Sequence, residues 1–228
     1  MRYFTRFEKI LWIVSVLAII ISFIIFGGDS FLDMIASIIG VSALILCAKG
    51  NFIGQILVII FSTLYGYISY SFSYYGEMIT YMCMTLPMAV IALISWLRNP
   101  YNGKKTEVKV YKVGPKEIAV MSFCTVIVTI VFYCILSVFN TANIVPSTFS
   151  VTTSFVAVYL TYKRSPYFAL AYSVNDLVLI ILWILAGIKD IRYFNMVVCF
   201  VIFFINDIYG FISWKKMEKM QDGEKLDV

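Results

Sequence analysis

From Ile118 to Tyr162 the chain carries no charged side chain. A helix that crosses a bilayer needs about 20 predominantly apolar residues, so this stretch is long enough for two crossings. Asn140–Pro146 supplies the break between them, predicting helices over Ile118–Phe139 and Ser147–Tyr162. The rest of the chain divides in the same way. Ile10–Phe26, Phe31–Ala48, Phe52–Phe72 and Met78–Leu97 precede the uncharged stretch, and Tyr167–Ile188 and Tyr193–Trp214 follow it. The expectation is an all-α membrane protein, a single transmembrane domain of eight helices.

Composition leaves no soluble alternative. The 228 residues are 61% hydrophobic and 14% charged, with a mean hydropathy of +0.90, whereas soluble domains run to about 25% charged. Too few charges remain to cover a water-facing surface, so lipid must be the solvent. Arg2, Arg6 and Lys9 precede the first apolar run in the manner of a signal peptide. That run ends at Gly27-Gly28-Asp29 without a small-x-small cleavage site, which predicts an uncleaved first helix.

Charge placement sets the orientation. With eight crossings, 16 of the 18 Lys and Arg fall on one side, leaving only Lys189 and Arg192 on the other. Positive charge is retained inside, so the N-terminus and the charged tail 215–228 are both expected in the cytoplasm. The longest polar connection, Tyr101–Lys116, lies on the same side.

A weak internal repeat suggests the architecture. Tyr75 precedes Trp96 by the same interval as Tyr193 precedes Trp214. Each Trp closes an Ile-Ser-Trp end, and each triplet begins with a helix leading to a basic turn, at Lys49 or at Lys163-Arg164. Two such triplets, 31–97 and 147–214, joined by one linker helix at 118–139, share an orientation and form a parallel repeat. The helix 10–26 is then a peripheral addition, giving a 1+3+1+3 layout.

Intramembrane ionisable groups are costly and usually functional. Asp176 lies near the middle of its run, after Asn175, with no Lys, Arg or His at that depth to neutralise it. It is expected to face protein or a watery cavity. Helical spacing places Tyr172, Asp176 and Trp183 on one stripe. Asn206 and Asp207 repeat the device in the last run, either as part of the same pocket or as a polar clamp between helices. Asp33 and Glu77 stand near helix N-termini, where the helix dipole accommodates a carboxylate. Pro87 interrupts its helix and predicts a kink, a hinge or a cavity wall, with Thr80, Tyr81 and Thr85 as nearby polar atoms. Tyr65, Tyr172 and Trp183 lie deep enough to stack on a planar ring, whereas Trp96 and Trp214, beside basic residues, fit an interfacial belt.

Nothing supports catalysis or a cofactor. The chain has no histidine, and its five cysteines are isolated within apolar runs, so no metal-ligand spacing or nucleophile–base pair is present. The basic loops are explained by orientation rather than by nucleic acid.

The segments Tyr74-Tyr75-Gly76-Glu77-Met78 with Pro87-Met88, Val174-Asn175-Asp176-Leu177 with Leu182-Trp183, and Asn206-Asp207 with Tyr209-Gly210 and Trp214 together resemble the PnuC family of bacterial vitamin transporters, over roughly residues 31–216. The resemblance implies a full-length relative of the SWEET architecture. It also implies facilitated diffusion of a nucleoside-like vitamin, foremost nicotinamide riboside, trapping by a cytoplasmic vitamin kinase, and a homotrimer in the lipid. It carries the family's binding Asn onto Asn175 and its polar face onto Thr80, Tyr81 and Thr85. Members often have paired tryptophans before that Asn, where this chain has Tyr167, Phe168 and Tyr172, and a Gln after Pro-Met, where it has Ala89. Thiamine and riboflavin therefore stay open as cargo. So do two different roles for the chain, a non-transporting membrane subunit or sensor and a proton-coupled transporter.

Overall fold

The computed structural model describes residues 3–26, 31–71, 75–141 and 143–223. Its helices are α1 (Arg6–Phe26), α2 (Phe31–Cys47), α3 (Phe52–Ser71), α4 (75–98), α5 (Pro115–Val138), α6 (Ile144–Tyr162), α7 (Tyr167–Gly187) and α8 (Phe194–Gly223). Among the described residues, seven are long and apolar enough to cross a membrane, and α2, at 17 residues, is a shorter apolar helix.

Local chemistry explains where the ends depart from the apolar runs. α1 starts at Arg6 because Thr5 and Glu8 cap it reciprocally. The Glu8 N–H donates to Thr5 Oγ1 (3.2 Å), and the Thr5 N–H donates to Glu8 Oε2 (2.6 Å). α5 starts at Pro115 rather than Ile118, since proline suits a first turn and the Glu117 carboxylate accepts the Gly114 N–H at 3.1 Å. α6 begins at Ile144 and takes Pro146 into its first turn, where a missing N–H costs nothing.

Within α4, the disturbance expected at Pro87 takes the form of a π-helical stretch, Thr80–Thr85, between the α-helical parts Tyr75–Ile79 and Leu86–Arg98. The Leu86 N–H reaches back five residues to the Tyr81 carbonyl. Pro87 itself is exposed and does not line the cavities described below. π segments of this kind cluster at functional sites.

Six helices close a ring. α2 packs on α3, α3 on α4, α4 on α6, α6 on α7, α7 on α8, and α8 back on α2. α1 lies outside the seam between α8 and α2, and α5 lies outside α6. α1 is held to the ring by polar contacts. Trp12 Nε1 donates to Ser42 Oγ (3.0 Å), Tyr209 to Glu8 (2.8 Å) and Asn206 to Ser15 Oγ (3.0 Å).

The end of the ring that carries Lys49, Arg98, Lys163 and Lys215, called the basic end below, is closed by aromatic packing. Trp96 and Trp214 are 2% and 0% exposed, which overturns their expected place in a lipid-facing belt. Each indole N–H has a carbonyl partner on the neighbouring helix of the ring. Trp96 donates to Thr161 O at 3.0 Å, and Trp214 donates to Cys47 O at 2.8 Å. Their rings lie 5.4 Å apart with Phe168 wedged 4.9 Å from Trp214. A buried indole needs such a partner, and the last-turn carbonyls of α2 and α6 lack intrahelical ones.

The connection between α4 and α5 holds a short hairpin that hydropathy does not reveal, β1 (Pro100–Tyr101) against β2 (Lys104–Val108). Asn102 and Gly103 both have positive φ, 46° and 72°, as a two-residue primed turn requires. The hairpin and the strand-like residues after it cross the basic end. The Val108 N–H donates to Gly50 O (3.1 Å), Lys109 to Asn99 O (2.9 Å) and Tyr111 to Arg164 O (3.0 Å). α8 continues past Trp214 to Gly223 instead of ending there as expected. Its last turn is fixed by Gln221, which accepts from the Val110 N–H (2.8 Å) and donates to Val108 O and Glu107 Oε1 (both 3.1 Å).

Candidate functional site: a polar cavity within the ring

A cavity of ≈ 80 Å³ lies within the ring, lined by α2, α3, α4, α6, α7 and α8. Two buried carboxyl groups line it. Asp176 of α7 and Asp207 of α8 are each 4% exposed, and they approach closely enough to interact directly. Oδ2 of Asp176 has no hydrogen-bond partner among the described residues. The ion pairs of the described residues lie toward the helix ends and loops, as at Lys49–Glu8 and Lys163–Glu117, and none involves Asp176 or Asp207. Two adjacent negative charges in apolar surroundings repel and are poorly solvated, so a proton or a cationic group is what stabilises such a pair.

Asn175 stands beside them, 5% exposed. Its carboxamide oxygen accepts from three hydroxyls of α6, Thr153 (2.8 Å), Ser154 (3.0 Å) and Ser150 (3.4 Å). Six aromatic rings also line it, those of Phe61, Tyr81, Phe168, Tyr172, Phe200 and Phe203, among smaller apolar and polar side chains. Gly40 lets α2 and α8 close on one another here, because a Cβ at that position would sit 2.5 Å from Phe203 Cζ.

A larger cavity of ≈ 290 Å³ lies among the ends of α4, α5, α6 and α7 away from the basic end. It shares Tyr81, Ser154 and Leu179 with the central one. Glu77 and Thr80 line it from α4, and Asn140, Thr141 and Lys189 line its mouth. The loop beside that mouth carries Asp190, whose carboxyl is held below the usual carboxylate range by its bonds to Arg192.

The structure thus brings together Asn175, Asp176, Tyr172, Tyr81, Thr85 and Asp207 at the central cavity. Thr80 belongs to the outer one, and its hydroxyl donates to Gly76 O (2.9 Å). Tyr65 stands one ring behind the wall, 4.5 Å from Tyr81 and 5.5 Å from Phe61. Trp183 joins Tyr65 at a small separate cavity of ≈ 30 Å³ rather than sharing the Tyr172–Asp176 lining, because its ring packs at 5.8 Å on Tyr193. Asn206 faces the other way, donating to Ser15 and to Ile202 O. Sequence reasoning passed over Ser150, Thr153 and Ser154, although their i, i+3, i+4 spacing marks one helix face. It also passed over Gln55, which is 2% exposed and donates to Cys47 Sγ at 3.3 Å.

A closed ring of membrane helices around a buried polar cavity defines a multi-pass membrane protein of the carrier type. Residues 30–216 match the family model described as nicotinamide mononucleotide transporter, and the chain belongs to that family. It is 25% identical over 224 residues, covering 96% of this chain and 85% of the relative, to the nicotinamide riboside transporter PnuC of Neisseria mucosa. Over a stretch of 100 residues, 44% of this chain and 42% of the relative, it is 31% identical to the protein of the same name from Haemophilus influenzae. The crystal structure of the vitamin B3 transporter PnuC has the same fold, with a TM-score of 0.81 at 23% identity over 96% of this chain and 94% of that one. The chain is a transporter, not an enzyme.

Proposed function

We propose that this chain carries nicotinamide riboside across the bacterial cytoplasmic membrane, with the central cavity as its binding site. The observation that carries the reading is the Asp176–Asp207 pair, two buried carboxyls without a cation beside Asn175 and a wall of aromatic rings. A positively charged pyridinium satisfies all three features. Its charge offsets the carboxylates, its ring stacks on Tyr81 or Tyr172, and its carboxamide meets Asn175. The same pair opposes a phosphate, and no Lys or Arg lines the central cavity to offset one, which favours the riboside over its phosphorylated form.

The reading extends to architecture. All eight helices cross the bilayer, with both termini and the basic end in the cytoplasm and the larger cavity facing outward. The bonds Trp96 to Thr161 and Trp214 to Cys47 exchange equivalent ends between α2–α4 and α6–α8, as two parallel triplets related by an axis along the membrane normal would. Pockets for such solutes measure about 300–1,000 Å³, so the ≈ 80 Å³ cavity widens to admit one. Movement of one triplet against the other, with Pro87 and its π segment as a hinge, provides that widening and alternates access between the two faces. Transport is facilitated diffusion, with a cytoplasmic kinase trapping the riboside and a homotrimer as the assembly.

The test is uptake of radiolabelled nicotinamide riboside into proteoliposomes, with thiamine, riboflavin and nicotinamide mononucleotide as competitors. Saturable uptake inhibited by unlabelled riboside, and lowered about tenfold or more by Asp176→Asn, as for loss of a charged contact, is the expected result. Vesicles as tight as empty controls, or stronger competition by the mononucleotide than by the riboside, would sink the reading.

A further inference from the structure

The carboxamide of Asn175 is held in one orientation by α6, and that orientation decides what the cavity can recognise. A Ser or Thr inside a helix usually donates its hydroxyl proton to the carbonyl three or four residues back. Thr148, Thr152 and Thr161 of α6 do so, at 2.7, 2.9 and 2.8 Å. Ser150 and Ser154 do not. The bonds that these two hydroxyls donate among the described residues run to Asn175 Oδ1, at 3.4 and 3.0 Å. Thr153 lies 2.8 Å from the same oxygen while also near the carbonyls of Phe149 (2.9 Å) and Ser150 (3.1 Å).

A carboxamide has an acceptor pole and a donor pole. With two serine protons committed to its oxygen, the oxygen is fixed toward α6. The Nδ2 amino group, which has no hydrogen-bond partner among the described residues, is left as the pole that lines the cavity. Ser150 and Ser154 are 9% and 8% exposed, so water competes little for these bonds.

We infer that Ser150, Thr153 and Ser154 are positioning residues that lock Asn175 with its N–H donors toward the solute, making the site a reader of a carbonyl acceptor on the pyridinium ring. This rests on the proposed riboside reading and deepens it. The carbonyl oxygen of a ring carboxamide is required, whereas its amino group is not. A 3-acetyl ring, which has the carbonyl and no N–H, satisfies the donor pole as well as a carboxamide does. A ring without the substituent leaves both amide protons unpaired in a buried site.

The experiment compares three probes on the purified full-length protein by calorimetry: nicotinamide riboside, 3-acetylpyridine riboside, and the ribosylpyridinium lacking a ring substituent. The first two are expected to bind within about threefold of each other, and the third about tenfold more weakly, the scale of one buried hydrogen bond. Thr153→Val combined with Ser154→Ala removes that discrimination, Thr153→Ser keeps it, and Asn175→Ala abolishes it. In the Asn175→Ala background the hydroxyl substitutions change affinity no further, because their effect runs through the amide. The acetyl probe binding tenfold more weakly than the riboside would show that the oxygen pole faces the solute and would overturn the inference. So would undiminished discrimination in the hydroxyl variant.

The same four variants are also melted without solute. A smaller fall in Tm from the hydroxyl substitutions in the Asn175→Ala background than in the wild type is expected, and strictly additive falls would overturn the positioning role. Absence of binding by all three probes to the wild type would sink the riboside reading alone, leaving this cycle to decide the orientation of Asn175.

Discussion

The two ends of the helix ring are built by different means. At the basic end, three aromatic rings fill the axis, two indole N–H groups tie α4 to α6 and α8 to α2, and the hairpin and the residues after it bond to the α2–α3 and α6–α7 loops and to Gln221. At the opposite end the helices part around ≈ 290 Å³ of space with Asn140, Thr141 and Lys189 at its mouth. The seal at one end therefore rests on a few specific donors whose acceptors lie on neighbouring helices, so a small shift of α4 and α8 against α6 and α2 would break both indole bonds together. Openness at the other end needs no such device. The alternating access proposed above requires such an asymmetry in a carrier that is accessible from one face at a time.

The largest effect comes from breaking the seal. Trp214→Ala removes a fully buried ring and is expected to cost about 3–5 kcal/mol. Trp214→Phe keeps packing and removes only the indole bond to Cys47 O, which still accepts from the Gly50 N–H (2.9 Å), for about 0.5–1.5 kcal/mol. Cys47 itself reports whether the end has opened, because it lines the central cavity and is 4% exposed. As the only cysteine in an otherwise substituted chain, it should resist a membrane-impermeant maleimide, whereas Ser147→Cys in the larger cavity should label readily. Trp96→Ala or Trp214→Ala should make Cys47 reactive. Equal labelling of Cys47 and position 147 in the parent would remove the distinction between the ends.

How much of this asymmetry could be read from residues alone differs by feature. The helices were legible because each apolar run meets a length that the bilayer imposes. The isolation of Asp176 was legible because no basic residue exists at its depth. The Thr5–Glu8 capping box and the Asn102-Gly103 turn carried local signals that hydropathy overrode. Asn206 and Asp207 are adjacent, hence about 100° apart on the helix. Adjacent Asn175 and Asp176 both line the cavity, so spacing alone did not decide the matter, and Asn206 is turned away by its bond to Ser15 of α1. Trp96 and Trp214 misled for a different reason. An indole beside a lysine looks interfacial until the opposing carbonyl is known, and that carbonyl is over 60 residues away for Trp96 and over 160 for Trp214. Likewise, the direct approach of Asp176 to Asp207 depends on α7 packing against α8, which is a tertiary fact.

A middle-sized effect tests whether the hairpin contributes to the seal or only decorates it. Gln221 is 3% exposed and makes three hydrogen bonds to the hairpin and the strand-like residues after it. Gln221→Leu conserves bulk while removing them, and at about 0.5–1.5 kcal/mol for each net bond should lower stability by roughly 1.5–4.5 kcal/mol. If the strap seals the basic end, hydrogen exchange should rise at Val108 and Val110 and also at the Trp96 and Trp214 indoles. Exchange confined to the hairpin would show that the aromatic plug holds without it.

The smallest effect concerns Lys163, at the turn between α6 and α7. Its ammonium sits 2.5 Å from Glu117 Oε1 at the start of α5, within 6 Å of the rings of Tyr111, Tyr159 and Tyr162. The bond to Glu117 raises its pKa above the ordinary lysine value. A raised lysine pKa stabilises the fold fully below the unfolded value of about 10.4 and loses that contribution as pH climbs through the folded one. The side chain is 24% exposed and water screens the pair, so Lys163→Met should cost no more than about 1 kcal/mol at neutral pH. The difference in Tm between the variant and the parent should be flat from pH 6 to roughly pH 9 and shrink only above about pH 10. Because Glu117 belongs to α5, outside the ring, the loss should leave Cys47 as unreactive as before. Labelling of Cys47 in Lys163→Met would mean that α5 helps to hold the basic end shut.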